Sequence, residues 1–146
     1  MATRFWNLIT VFGSLAFGFL FAALGFVLEP RFGVVIFLNV VFLTFAANVW
    51  KYFRFKPRPD NPDAIRPVRP FNPLQAWNFL NPKRGIAFFK YVDHGSFPSV
   101  HSARSFNLAL LFGVWIGNVY AVAGLIAFAA LVAYSRVVKK RHFKVD

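Results

Sequence analysis

Long apolar runs set off by short polar breaks organise this chain. Phe5 to Leu28 is almost wholly apolar and, at the α-helical rise, covers about 36 Å, enough to cross a bilayer with some tilt. Glu29-Pro30-Arg31 interrupts it, and Phe32 to Trp50 follows as a second run of about 28 Å. Trp50 and Tyr52 fall where interfacial aromatics belong. Ser102 to Gly117 predicts a third helix of about 24 Å, Gly117-Asn118 a tight turn, and Val119 to Ser135 a fourth helix. The first run is too long for the apolar region of a signal peptide and has no small-residue cleavage site after it, so it reads as a retained membrane helix.

Between Lys51 and roughly Ser96 the pattern breaks down. Proline is dense there, which forbids one continuous helix and predicts an irregular loop. Within it, Ile86 to Val92 is an apolar patch that either dips into the interface or packs against the bundle; packing is the commoner fate of such a patch. Arg136 to Asp146 is a basic tail. The expected fold is all-α: one domain over residues 1–146, an integral membrane bundle of about four transmembrane helices, with the Pro-rich loop between the second and third.

Composition sharpens this reading. Hydrophobic residues make up 58% of the chain and Phe alone counts 21, too apolar for an ordinary soluble domain. With no cysteine, three histidines and five acids, neither a disulfide framework nor a multi-ligand metal cage is expected. The formal charge of +12 calls for an anionic partner: nucleic acid, acidic lipid head groups or phosphate esters. Nucleic acid is the weakest of these, because the basic residues flank apolar spans instead of forming a soluble basic face.

Alternating spans fix which segments share a membrane side. Lys51 to Pro59 follows the second helix, Pro98 to His101 precedes the third, and Ser135 to Asp146 follows the fourth, so all three segments fall on one face. Together they hold what phosphate-ester cleavage requires: charge neutralisation, an attacking group and a proton for the leaving oxygen. Lys51, Arg58 and Arg136 supply cations, and the arginine fork suits phosphate oxygens. Ser99 supplies a hydroxyl, and the start of the third helix offers free N–H groups beside His101. His142 and Asp146 are four apart, so on a helix the carboxylate would orient the imidazole. An oriented imidazole can attack phosphorus to give a phosphohistidine, with His101 protonating the leaving oxygen and then activating water.

Taken singly, each residue has a plainer reading. Lys51 would be an interface anchor, Arg58-Pro59 part of a basic loop, Ser99 a helix cap and His142 a solvated tail residue. Lys139, Lys140, Arg141 and Lys144 read as a lipid-surface patch, and Asp93 and His94 as loop residues, not metal ligands. The joint occurrence of the motif residues on one face favours the chemical reading.

At these residues the chain resembles the type 2 phosphatidic acid phosphatase superfamily, whose motifs are K-x6-R-P, P-S-G-H and S-R-x5-H-x3-D. Lys51, Arg58 and Pro59 match the first; Pro98, Ser99 and His101 the second; Ser135, Arg136, His142 and Asp146 the third. The resemblance implies a metal-independent, cofactor-free membrane phosphatase acting on lipid phosphates or pyrophosphates. It implies His142 as nucleophile, Asp146 as its partner, His101 as acid, and Lys51, Arg58, Ser99, Val100 and Arg136 as phosphate-binding residues. Val100 stands where the family has glycine; it keeps its N–H but does not easily take positive φ, so this segment is expected in an ordinary conformation. Relatives usually continue into another membrane helix, so the expectation is a fragment, a truncated product or a minimal form that completes itself as a homo-oligomer. Two other functions stay open on the sequence: a non-catalytic basic membrane protein that binds anionic lipid, and a phosphotransferase using the same phosphohistidine. Of the seventeen Lys and Arg residues, Arg31 alone falls on the face opposite the motifs. The positive-inside rule favours the cytoplasmic side of the cell membrane for the motifs, whereas the resemblance implies an extracytoplasmic site, as in many relatives; both sides stay open on the sequence.

Overall fold

The computed structural model describes residues 2–59 and 80–139. His142, Asp146, the tail cations Lys140, Arg141 and Lys144, and the proline-rich stretch 60–79 lie outside the described residues. The described chain is helical: α1 (Ala2–Val11), α2 (Leu15–Leu28), α3 (Pro30–Phe53), α4 (Pro82–Asp93), α5 (Val100–Ile116) and α6 (Val119–Val138). Among the described residues, extended pairing is limited to one antiparallel bridge between Pro57 and Gly95.

α3 and α6, of 24 and 20 residues, are each long and apolar enough to cross a membrane. Their outward faces carry bare hydrocarbon: Phe42 is 71% exposed and Leu38 58%, as lipid-facing residues should be. The expected first span, Phe5 to Leu28, is instead two helices bent by 49°. The cause is local. Ser14 caps α2 by accepting the Phe17 N–H at 3.3 Å, which offers the backbone an alternative to continuing the α1 ladder.

The expected irregular loop is also corrected in part. α3 runs on to Phe53, and Pro82 to Asp93 is a helix. Asn81 caps α4 by accepting the Lys83 N–H at 3.1 Å, and Pro82 occupies the first turn, where a missing N–H costs nothing. Phe88, Tyr91 and Val92 share one face at i, i+3 and i+4 and bury themselves with Tyr52 of α3. Burying each such side chain contributes about 1.5–3 kcal/mol. The buried face of the apolar patch therefore packs against the bundle, while Ile86 and Phe89 are both 57% exposed, Phe89 at the lining of a cavity described below.

The bundle packs through α2–α3, α5–α6, α3–α5 and α1–α6 contacts. Its centre is Ala22, Ile36, Val40 and Leu108. The turn between α5 and α6 matches expectation. Gly117 takes φ 68° and Asn118 caps α6 by accepting the N–H groups of Tyr120 and Ala121, a left-handed stop that a Cβ would strain. This turn and the α2–α3 turn share one end of the bundle, where the Trp115 indole donates to Glu29 at 3.4 Å. The end of α3, the start of α5 and the end of α6 occupy the other.

Candidate active site

At that second end lies a cavity of about 330 Å³. Lys51 and Arg58 from the first motif, Val100 and His101 from the second and Arg136 from the third all line it, with Asn48, Asp93 and Arg104. Each is placed by a separate local device.

Lys51 sits in the last turn of α3, where a cation complements the helix dipole. It is only 5% exposed. Asn48 lies one turn earlier on the same face. Arg58 follows α3 on a segment tied to the residues before α5. The Ser96 N–H donates to the Lys56 carbonyl at 2.7 Å, next to the Pro57–Gly95 bridge. Arg58 then donates from Nη2 to Asp93 Oδ1 at 3.1 Å. The guanidinium is 12% exposed and the carboxylate 79%, so Arg58 faces inward while Asp93 stays in water.

Val100 is the first residue of α5 and has helical geometry, the ordinary conformation expected of it. Ser99 caps this helix: its hydroxyl accepts from the Ser102 N–H at 3.3 Å and from the Ser102 hydroxyl at 2.8 Å. At 2% exposure Ser99 lies behind the cavity wall. His101, half-buried, faces the cavity, and the Ser105 hydroxyl donates to its carbonyl at 2.9 Å. Arg136, in the last turn of α6, donates from Nη1 to Thr10 Oγ1 of α1 at 3.0 Å.

The α1–α2 corner is the part of the site that the sequence motifs do not contain. Gly13 lies so close to α5 that a Cβ there would stand 2.9 Å from both Cβ and the carbonyl oxygen of His101. The Gly13 carbonyl accepts from Arg104 Nη1 at 3.0 Å, and Thr10 holds Arg136. The corner therefore braces two cations and the backbone of His101. Arg104 itself, 5% exposed, was missed in the sequence reading; the signal that would have found it is a charge inside an apolar span, a mark of a functional site in membrane helices. Asp93, read from sequence as a loop residue, is a cavity residue. His94 fits its loop reading: exposed at the end of α4, its Nδ1 lies 2.6 Å from the Lys90 carbonyl.

A second, apolar cavity of about 210 Å³ lies deeper in the bundle, lined among others by Phe12, Phe21, Ser105, Leu108, Phe112 and Phe128. Arg104 lines the polar cavity and the next residue of α5, Ser105, lines the apolar one.

A family-wide sequence comparison matches residues 31–146 to the PAP2 superfamily. The chain belongs to the PAP2 superfamily. This is the family its motifs resemble, and PAP2 proteins generally hydrolyse phosphate esters. The match begins at Arg31, so the α1–α2 corner that braces the cavity lies ahead of the PAP2 segment. Searches of curated proteins and of solved structures return no match.

Proposed function

We propose that this chain is an integral membrane phosphatase that hydrolyses a lipid phosphate or an isoprenoid diphosphate through a phosphohistidine. The observation that carries this reading is the cavity into which all three motifs contribute side chains, cationic except for His101 and Val100. In the proposed scheme, Lys51, Arg58 and Arg136 neutralise the non-bridging oxygens, and the Val100 N–H supports the same group at the start of α5, a turn that Ser99 holds in place as its cap. His142, oriented by Asp146, attacks phosphorus; the N–P bond forms as the P–O bond to the leaving group breaks. His101 gives that oxygen a proton, then takes one from water as the water cleaves the phosphohistidine. Charge neutralisation falls to ammonium and guanidinium groups, so the scheme calls for no metal ion and no cofactor.

The lipid class is supported by a polar and an apolar cavity lined by consecutive residues of α5, Arg104 and Ser105, an arrangement that suits an anionic head and a hydrocarbon tail. The proposed membrane arrangement has four spans, the α1–α2 pair, α3, α5 and α6, with the cavity at the face where α3 and α6 end.

Purified protein in detergent micelles should release phosphate from phosphatidic acid or from a prenyl diphosphate. His142→Ala and His101→Ala should each lower turnover by at least about 10²–10⁴-fold, the usual contribution of a positioned acid–base group, and phosphorylated His142 should be detectable by mass spectrometry in the wild type. Undiminished turnover in His142→Ala would overturn the mechanism. Adding an acceptor alcohol distinguishes transfer to that alcohol from hydrolysis.

A further inference from the structure

Arg104 belongs to none of the three motifs, yet it is the most deeply set arginine on the cavity wall. Placing a guanidinium in the interior of an apolar helix is costly unless the charge is compensated. Among the described residues its compensation is one hydrogen bond, from Nη1 to the Gly13 carbonyl at 3.0 Å, and a neutral carbonyl leaves the charge in place. Its Nε is buried with no hydrogen-bond partner among the described residues. The side chain lines the polar cavity, one helical turn deeper along α5 than His101, and the next residue, Ser105, lines the apolar cavity. Lys51, Arg58 and Arg136 already suffice for one phosphoryl group. Among the described lining residues, four cations face the single carboxylate of Asp93, a surplus that suits a diphosphate better than a monoester.

We propose that Arg104 is a specificity-determining residue that binds the inner phosphoryl group of a diphosphate head, the one esterified to the apolar tail. The proposal rests on the phosphatase reading of the same cavity. The terminal phosphoryl group lies at His101, the inner one at Arg104 and the tail in the apolar cavity beyond Ser105. When His142 attacks the terminal phosphorus, the bond to the bridging oxygen breaks and the tail leaves as a monophosphate. His101 protonates that monophosphate, and Arg104 stabilises the charge that develops on it. A guanidinium with one edge on Gly13 and Nε uncommitted can still make charge-assisted bonds to phosphate oxygens.

The test is calorimetric titration of the full purified chain in nonionic micelles, with inorganic diphosphate and inorganic phosphate as probes. Wild-type protein should bind diphosphate more tightly than phosphate. Arg104→Gln should weaken diphosphate binding by about 10–100-fold, the range of a charge-assisted hydrogen bond, and leave phosphate binding within about threefold. Arg104→Lys, which keeps the charge but loses the fork, should fall between. Equal affinity of the wild type for the two anions, or a diphosphate preference that survives Arg104→Gln, overturns the proposal, as does an equal loss for both anions, which would mark Arg104 as a structural brace. If Arg104→Gln does not fold, an undiminished preference in Arg104→Lys is the overturning result. Hydrolysis of prenyl monophosphate and prenyl diphosphate, measured in parallel, separates the two readings. Arg104-dependent diphosphate binding without turnover removes the phosphatase reading alone. Turnover with an Arg104-independent preference removes the Arg104 assignment alone.

Discussion

The pairing of Arg58 with Asp93 shows how one residue's environment sets its role. The carboxylate is 79% exposed and the guanidinium 12%. A pair with one partner in water contributes less than about 1 kcal/mol to stability, so its significance is electrostatic. Asp93 is the one carboxylate among the described cavity residues, and on the proposed phosphate-binding role of Arg58 it competes with an incoming anion for that guanidinium. Asp93→Asn should therefore leave the thermal midpoint almost unchanged and lower KM for an anionic substrate several-fold, because Arg58 no longer has to exchange a carboxylate for the phosphate. Arg58→Ala should lower kcat/KM by about 10²–10³-fold, as loss of a donor aimed at developing charge does. Steady-state kinetics on the two variants decides this; a raised KM in Asp93→Asn would mean that the carboxylate orients Arg58 and does not compete for it.

At the scale of elements, the site depends on the corner between α1 and α2. An added Cβ on Gly13 would press on both the side chain and the backbone of His101, so the corner or α5 must move. A displacement of about 1 Å at a reacting group can cost on the order of 10²-fold in rate. Gly13→Ala should therefore lower kcat by roughly that factor, whereas Gly124→Ala on α6, where a Cβ meets nothing within 4 Å, should leave turnover unchanged. Equal rates in the two variants would show that the corner yields without disturbing His101. This corner was not legible in the sequence. Phe5 to Leu28 is apolar on both sides of Gly13 and Ser14, and what selects glycine is a contact with a helix far along the chain. The start of α4 was legible in Asn81-Pro82, a cap followed by a first-turn proline, but the surrounding prolines pointed to irregular chain. The other helices were readable because long apolar runs and a Gly-Asn turn specify helix ends locally. Their described bounds differ from the predicted ones by a few residues at most. The motif residues on described segments were readable for the same reason: alternating spans fix the side on which each segment emerges. Arg104 needed a different signal, the cost of a charge in an apolar helix.

For the whole molecule, the two-ended layout joins the chemistry to the membrane. Glu29, Trp115 and the Gly117-Asn118 turn mark one end, and the cavity marks the other. The proposed four-span arrangement puts these ends on opposite sides of the bilayer, with Arg31 at the first and Arg54 and Lys139 at the second. The crowding of cations at the cavity end has two sources with opposite implications for orientation. On the proposed function, cations on the cavity wall serve phosphate binding and carry no topological information. Arg54 and Lys139 are not cavity residues, so they report the positive-inside bias more directly. Because the chain contains no cysteine, single-cysteine variants give a clean readout. In sealed inside-out vesicles, a membrane-impermeant maleimide should label Arg54→Cys and Lys139→Cys and spare Arg31→Cys; right-side-out vesicles should give the reverse. Labelling of Arg31→Cys and Arg54→Cys from the same side would rule out the alternating arrangement. The reversed pattern in both preparations would keep the four spans and move the cavity to the extracytoplasmic face, where the surplus of cations would have to be explained by the substrate alone.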